Sequence, residues 1–371
     1  MLFKLFLCTN LIFLSHLTIH AQNKTLREYG VNTGVLPTGT YNAISDVKGV
    51  KVGHTTLIEG DSVRTGVTAI LPYDGNIFQE KVPAGFFAGN GFGKLAGSTQ
   101  IEELGNLETP IVLTNTLNVA SGINALIQHT LSLSENENVR SVNAVVGETN
   151  DGYLNDIRGQ HVTEQHVLQA ISSASGGKVS QGNVGAGTGT RCFSYKGGIG
   201  TASRVVDING QSYTVGVLVQ ANFGGVLQIK GLPIGRLLKD YQEDSDGSCM
   251  MIVATDAPID SRNLNRLAKR AMLGLARTGG IASNGSGDYV IAFSTAEGLR
   301  MPYQSDTDFI TKQVLRNAAV SPLFLGCIEA TEEAIYNALF AAEDMTGYRG
   351  TVRALPEKEV LKLLNQHRLN R

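Results

Sequence analysis

The junction between Gly247 and Ser248 is the stretch of this sequence with the clearest chemical potential. It follows a charged run, residues 241–247, and opens a short apolar segment that predicts a buried strand. Because glycine has no Cβ, a neighbouring hydroxyl can approach the Gly247 carbonyl closely and cut the chain there. Ser248 would then carry a free amine of pKa about 7.7 to 8.0, suited to act as base for its own hydroxyl. The simpler interpretation is a loop that ends in a strand.

Polar residues also follow other predicted strands. The apolar run over residues 214–220 predicts a strand that delivers Asn222 just before a glycine-rich turn. A side-chain amide there could donate a hydrogen bond to a developing oxyanion, although taken alone it is a turn residue. Residues 142–146 predict a strand that leads into the polar segment 147–156, and strand ends of this kind often hold functional groups. Residues 283–289 form a polar turn before another predicted strand.

The elements that must position these residues are predicted from periodicity and capping residues. The sequence predicts helices at five places: residues 119–131, 163–173, 260–277, 332–344 and 356–367. The third and fourth have potential capping residues, Asp260 (or Ser261) and Thr331, and Pro356 begins the fifth. Strands mixed with helices along the whole chain indicate a mixed α/β protein.

Together these segments resemble the self-processing aminopeptidases typified by the L-aminopeptidase/D-amidase/D-esterase and the β-peptidyl aminopeptidases. The similarity begins at residues 27–31, continues through residues 42–47 and 52–54, and extends past residues 286–288, so it covers nearly all of the mature chain. In that family the precursor is cut between glycine and serine, and the new N-terminal serine is the nucleophile. The resemblance implies an α/β fold, a four-layer αββα sandwich shared with ornithine acetyltransferases.

The resemblance also implies a role for each matched residue. Ser248 would be the nucleophile, and Asn222 would donate to the oxyanion. Ser286 and Asp288 match the second serine and its carboxylate partner, and they would bond to the amine and hydroxyl of Ser248. Some family members have glutamate where this chain has Asp288, and the shorter side chain changes that distance. Without the resemblance, Ser286 and Asp288 are part of a polar turn.

Two further site residues lie in segment 147–156. Tyr153 matches a functional tyrosine of the family, and its phenol could donate to an oxyanion or a leaving group. An aminopeptidase must bind the free ammonium group of its substrate, and Glu148 is the candidate anion. A solvated loop carboxylate is an equally good interpretation of Glu148.

The predicted function is a self-processing N-terminal-serine aminopeptidase or amidase. Cleavage before Ser248 would give an α chain of residues 22–247 and a β chain of residues 248–371, which together form one catalytic domain. Substrates would be peptides, aminoacyl amides or esters with a free N-terminus, and the sequence leaves open whether L-α, D-α or β-amino residues are preferred. The resemblance implies no metal or organic cofactor, and it suggests a homo-oligomer of αβ units.

Three alternatives remain at this point. A self-processing acyltransferase on the same fold would normally use threonine where this chain has Ser248. A metallo-aminopeptidase would need a cluster of histidine and acidic ligands, which the sequence does not show. A non-catalytic exported binding protein would leave the matched residues unexplained. A Ser-His-Asp triad is not visible, since Ser248 is not in a G-x-S-x-G elbow.

Composition and the N-terminus define the setting. The 371 residues carry a formal charge of −2, so charge favours neither nucleic acid nor an anionic membrane as a partner. Residues 1–21 combine Lys4 with a short apolar stretch and a small residue, Ala21, before the cleavage point. That pattern predicts a secretory signal peptide, a periplasmic or secreted protein and no retained membrane anchor.

Two other patterns bear on cofactor and metal chemistry. The glycine-rich residues 185–190 lack the following helix that a nucleotide-binding loop requires, and the resemblance suggests instead that they line a pocket. Outside the signal segment the cysteines are Cys192, Cys249 and Cys327, which form neither a disulfide framework nor a metal motif. We expect them to be buried apolar residues.

Overall fold

Four layers of secondary structure are stacked in the order helix, sheet, sheet, helix. The computed structural model describes residues 24–241 and 247–369, so the predicted signal peptide lies outside the described residues. The strands are β1 (Lys51–Glu59), β2 (Val63–Leu71), β3 (Glu80–Gly91), β4 (Leu95–Ala96), β5 (Asn106–Leu107), β6 (Ile111–Asn115), β7 (Val145–Thr149), β8 (Arg191–Cys192), β9 (Tyr195–Lys196), β10 (Gly198–Ile208), β11 (Gln211–Asn222), β12 (Ser248–Thr255), β13 (Gly287–Ser294), β14 (Met301–Pro302), β15 (Met345–Gly347) and β16 (Gly350–Val352). The α-helices are α1 (Ser98–Leu104), α2 (Val119–Leu131), α3 (Glu164–Ser172), α4 (Ile234–Leu238), α5 (Ser261–Arg277), α6 (Ser321–Phe340) and α7 (Glu357–Leu369).

Two large sheets form the middle layers. The first has the strand order β1–β2–β6–β7–β4, and the second has the order β10–β11–β12–β13–β3–β14, with β5 paired to β3. In the second sheet β12 and β13 run parallel to each other and lie between β11 and β3, with which they pair antiparallel. Strands from both sides of the junction between residues 247 and 248 are therefore interleaved in one sheet.

Strand β12 shows why this sequence forms a central strand. Alternate residues Cys249, Met251 and Val253 pack with side chains of α5 and α6. The intervening Met250 and Ile252 pack against the first sheet. A strand buried on both faces has a nearly continuous apolar sequence, which is what residues 248–255 show.

The first sheet is covered on its outer face by α2 and α3. Val112 and Val146 of the sheet pack there with Leu126 of α2 and Val167 of α3. The three apolar interfaces, one between each pair of neighbouring layers, make this an αββα sandwich, as the resemblance implied. No helix among the described residues is both long and apolar enough to cross a membrane.

The helix predictions are confirmed in part. α2 has the predicted bounds, and α5 is capped by Asp260, whose Oδ1 accepts a hydrogen bond from the Asn263 N–H at 2.9 Å. The prediction for α6 is wrong, because the helix begins at Ser321, and Thr331 lies inside it with its hydroxyl donating to the Cys327 carbonyl. The Val142–Val146 prediction is also displaced, since β7 extends to Thr149.

The buried charges of α6 explain the misplaced helix start. Glu329 and Glu333 project inward and pair with the fully buried Arg204, at 3.0 Å and 2.6 Å. Arg27 also pairs with Glu333, at 2.7 Å, and so connects the N-terminal segment to this helix. In the sequence, Glu333 lies in the first turn after the predicted cap Thr331, where a glutamate is usually exposed to solvent.

Candidate active site

Ser248 is the first residue of β12 and lies between two neighbouring strands. It is opposite Asn222 at the end of β11 and beside Gly287 at the start of β13. Its Oγ donates a hydrogen bond to the carbonyl oxygen of Gly247 at 2.6 Å. The Gly287 N–H donates to the same carbonyl at 3.1 Å and to Ser248 Oγ at 3.2 Å. The hydroxyl is thus held against the preceding peptide bond, and a backbone donor polarises that bond.

The position of Gly247 requires glycine. A Cβ at this residue would lie 2.4 Å from the Asn222 carbonyl oxygen and 2.5 Å from the Phe223 Cα. Both are backbone atoms, so neither can move aside without displacing its strand end. The close approach expected from the sequence is therefore present, and it involves the neighbouring strand.

Asn222 is the last residue of β11, where the sequence predicted a strand to end, and it is 7 % exposed. Its Oδ1 accepts a hydrogen bond from the Arg191 N–H at 2.9 Å. Because that bond occupies the amide oxygen, Nδ2 is the group that can donate towards Ser248. An oxyanion donor requires a side-chain N–H that no other acceptor uses.

Asp288 is a residue of β13 rather than of the preceding turn, and it is fully buried. Burial raises its pKa to about 6, while the nearby Ser286 hydroxyl and Cys249 N–H lower it without reaching hydrogen-bond geometry. Within the described ranges, both carboxylate oxygens of Asp288 lack a hydrogen-bond partner. The Ser286 hydroxyl lacks one as well over the same residues. A cationic neighbour would stabilise the ionised form of a buried carboxylate that has no hydrogen-bond donor.

The two faces of the sheet separate Asp288 from the Ser248 hydroxyl. Asp288 is paired in register with Cys249, whose side chain faces α5 and α6, whereas Ser248 lies on the other face with Met250. The hydroxyl of Ser248 bonds to Gly247 and Gly287. The expected bond from this hydroxyl to Asp288 is therefore not formed, while the backbone nitrogen of Ser248 lies on the strand between the two faces.

The Glu148 carboxylate is buried and is held by hydrogen-bond donors from two other segments. Glu148 is a residue of β7 and is only 3 % exposed, so the alternative of a solvated loop carboxylate is wrong. Its Oε1 accepts from the Lys94 N–H at 3.0 Å, and the Thr116 hydroxyl donates to Oε2. The Lys94 ammonium lies 3.7 Å from Oε1. A Cβ at Gly93 would come within 3.0 Å of this carboxylate, so glycine there avoids crowding the carboxylate.

Tyr153 lies in the turn beyond β7 and is covered by a cation. The Arg191 guanidinium carbon lies over the phenol ring, 4.1 Å from its centroid. The same Arg191 holds Asn222 through its backbone, so it contacts two of the predicted site residues. A cation over the face of an aromatic ring is attracted by the ring electrons.

A cavity of about 650 Å³ joins these groups. Five of the seven predicted site residues line it, namely Ser248, Gly247, Asn222, Tyr153 and Glu148. The other two, Ser286 and Asp288, flank Gly287 but do not line the cavity. The lining also includes Lys94, Thr116 and Arg191, to which the sequence analysis assigned no individual role. Thr116 directly follows the end of β6, just as Asn222 is the last residue of β11.

Other candidate groups do not line this cavity. Residues 185–190 were expected to line a pocket, but they do not line this cavity. The turn Gly185–Gly187 is buried, and its Ala186 N–H donates to the Thr68 hydroxyl at 3.1 Å. The three cysteines outside the signal segment are buried and free, as predicted. Across residues 24–241 and 247–369, no three histidine, cysteine or acidic side chains are grouped to hold a metal ion.

Comparison with known proteins places this site in a family. The model of peptidase family S58 matches residues 42–353. A β-peptidyl aminopeptidase from Sphingosinicella microcystinivorans is 40 % identical over 376 positions, which cover 94 % of this chain and 93 % of the relative.

Solved structures share the fold over nearly the whole length. The PH0078 protein from Pyrococcus horikoshii OT3 has a TM-score of 0.88 and 48 % identity, covering 93 % of this chain and 99 % of its own. The L-aminopeptidase D-Ala-esterase/amidase from Ochrobactrum anthropi, a prototype serine aminopeptidase and a variant of the Ntn hydrolase fold, has a TM-score of 0.86 and 38 % identity, covering 92 % and 98 %. The chain therefore belongs to peptidase family S58 and is an enzyme of the aminopeptidase class.

Proposed function

We propose that this aminopeptidase activates itself by cutting the bond between Gly247 and Ser248, and that Ser248 then acts as its N-terminal nucleophile. The observation that supports this most directly is the position of Ser248 Oγ, 2.6 Å from the Gly247 carbonyl oxygen. The Gly287 N–H on the same oxygen, at 3.1 Å, would stabilise the negative charge that develops there.

The self-cleavage proceeds by an acyl shift. Ser248 Oγ attacks the carbonyl carbon of Gly247, the bond from that carbon to the Ser248 nitrogen breaks, and the hydroxyl proton ends on the departing nitrogen. Water then hydrolyses the resulting ester. The products are the Gly247 carboxylate and a Ser248 residue with a free amine and a free hydroxyl, in chains 22–247 and 248–371.

Turnover would use the same atoms on a substrate. The Ser248 amine accepts the proton of its own hydroxyl, and the hydroxyl oxygen attacks the substrate carbonyl. The bond to the leaving amine or alcohol then breaks as that group takes the proton, and water hydrolyses the acyl ester of Ser248. The Asn222 Nδ2 donates to the oxyanion, with Tyr153 beside it in the cavity. The unpartnered Asp288 carboxylate and Ser286 hydroxyl are the groups best placed to hold the new amine in its cationic form between proton transfers.

Glu148 would select substrates with a free N-terminus. Its carboxylate is buried, is oriented by two donors and lies on the wall of the cavity that Ser248 also lines. Substrates of this kind are peptides, aminoacyl amides and aminoacyl esters. We extend the proposal to β-amino and D-amino residues because the similar proteins are named for activity on β-peptides and D-Ala esters. Export through residues 1–21 and assembly of αβ units into a homo-oligomer are also part of the proposal.

The test is the covalent state of the purified enzyme. We expect two bands on a denaturing gel, with Edman sequencing of the smaller chain starting at Ser248. Ser248→Ala should remain one chain and should not hydrolyse aminoacyl p-nitroanilides. A single intact wild-type chain that is active, or a cut at another bond, would refute the proposal. Hydrolysis without an added acyl acceptor separates this function from acyl transfer.

A further inference from the structure

The positive charge of Arg191 has no role in the chemistry described so far. Arg191 begins β8, next to the strand end that carries Asn222, and its side chain is exposed at the cavity. Its guanidinium carbon lies over the Tyr153 ring, 4.1 Å from the ring centroid. The N–H groups of a guanidinium lie in one plane, so they can bind a planar anion in two places.

The guanidinium of Arg191 also lacks an acidic partner within the described ranges. Among the described residues, five other arginines pair with a carboxylate at 3.2 Å or less, namely Arg27, Arg204, Arg277, Arg300 and Arg353, and several surface arginines pair with none. Arg191 differs from both groups because it lines the cavity. Partial burial lowers the pKa of Arg191, and the positive charge of Arg349 acts in the same direction. A cation that is partly desolvated and repelled by a second cation gains free energy when an anion binds.

The charges of the cavity are arranged for a substrate with two ends. Glu148 comes from the first sheet, and Arg191 comes from the β8–β9 hairpin beside the second sheet, while Ser248 also lines the cavity. A volume of about 650 Å³ is within the range of about 300–1,000 Å³ typical of small-ligand sites. A short peptide with both termini free matches this size and this pair of charges.

We propose that Arg191 binds the free C-terminal carboxylate of the substrate and thereby makes the enzyme selective for dipeptides and other very short peptides. This inference rests on the proposed function, in which Ser248 attacks the bond and Glu148 holds the ammonium group. It assigns the leaving-group side of the cavity to the substrate carboxylate that Arg191 binds.

The test compares two substrates that share one N-terminal residue, a dipeptide and its C-terminal amide. We expect the wild-type kcat/KM for the dipeptide to exceed that for the amide by about 10- to 100-fold, as expected for a charge-assisted bond. Arg191→Gln should reduce this ratio by at least about tenfold, mainly through KM for the dipeptide, and Arg191→Lys should restore part of it. Arg353→Gln, on an exposed arginine outside the cavity, should leave the ratio unchanged.

Two results would overturn the inference. One is a wild-type enzyme that does not prefer the free carboxylate, a comparison that needs no variant to fold. The other is an Arg191→Gln enzyme whose kcat/KM falls equally for the dipeptide and for its amide. An equal loss would mean that Arg191 acts only through its contacts with Asn222 and Tyr153. Activity of Ser248→Ala would refute the proposed function instead, and the ratio would still test Arg191.

Discussion

Asn222 and Ser248 are directly opposite each other, as the last residue of β11 and the first residue of β12. The amide oxygen of Asn222 is occupied by the Arg191 N–H, and the hydroxyl of Ser248 is bonded to Gly247. This pairing brings an oriented amide donor to the strand end where a nucleophile would act. Because both residues are nearly buried in a central sheet, their separation is set by strand register and not by a mobile loop.

Asn222→Ala should lower kcat by about 10²- to 10³-fold, equivalent to about 2.7–4 kcal/mol, because the oxyanion loses its side-chain donor. Asn222→Asp is the matched variant, since it keeps an oxygen for the Arg191 N–H and removes the donor. Steady-state kinetics on an aminoacyl p-nitroanilide, with circular dichroism to verify folding, measures both. An Asn222→Asp enzyme with near wild-type kcat would exclude the donor role.

Gly247→Ala should block or strongly slow self-cleavage. The added Cβ would be 2.4 Å from the Asn222 carbonyl oxygen, so the scissile carbonyl must move away from Ser248 Oγ. We expect one uncut band on a denaturing gel where the wild type gives two. Gly298→Ala is the control, because a Cβ there meets no atom within 4 Å and processing should be normal. Complete processing of Gly247→Ala would contradict the proposed geometry.

Glu148→Gln should raise KM for substrates with a free amine by about 10- to 100-fold, because a charge-assisted bond to the ammonium is replaced by a neutral one. The change is nearly isosteric, so the contacts with Lys94 and Thr116 can persist and kcat should fall less than kcat/KM. Initial-rate kinetics separates the two constants. Glu80→Gln, on a surface carboxylate paired with Arg300, is the control. An unchanged KM would remove Glu148 from substrate binding.

Asp288→Asn should stabilise the uncut chain at neutral pH. Burial raises the pKa of Asp288 from 3.8 to about 6, so the folded state favours the protonated acid. The contribution of Asp288 to the free energy of unfolding is therefore fully present below pH 3.8. It is lost as the pH rises through 6, which lowers the free energy of unfolding of the chain that retains Asp288 by about 3 kcal/mol.

The comparison is best made in a Ser248→Ala background, in which no new amine can form. Urea unfolding at pH 7.5 should show the asparagine variant as the more stable one, and the difference should vanish near pH 4. A constant difference across this range would show that ionisation of Asp288 is not its cause.

Local patterns in the sequence were sufficient to predict elements with local causes. α2 is recognisable from apolar spacing, α5 from its Asp260 cap, and β12 from its abrupt apolar composition. The position of Asn222 at a strand end follows from the same kind of pattern. The resemblance then identified which of several polar strand ends belong to one site.

The features that were misplaced depend on partners far away in the chain. Glu148 was equally well explained as a loop residue because its buried position is compensated by Lys94 and Thr116. The start of α6 was misread because Arg204 neutralises its acidic residues. The contribution of Gly287 comes from a backbone N–H, which sequence patterns do not reveal, since strand register decides what it contacts.

The interleaving of the second sheet determines how the protein must be assembled. Strands β12 and β13 follow residue 247 in the chain yet lie between β11 and β3, which precede it. Two pieces synthesised apart would have to meet by diffusion, whereas one continuous chain holds the four strands at a high effective concentration. The peptide bond before Ser248 is therefore needed to build the sheet, and after folding the backbone hydrogen bonds and the apolar interfaces on both faces can hold the two halves together without it.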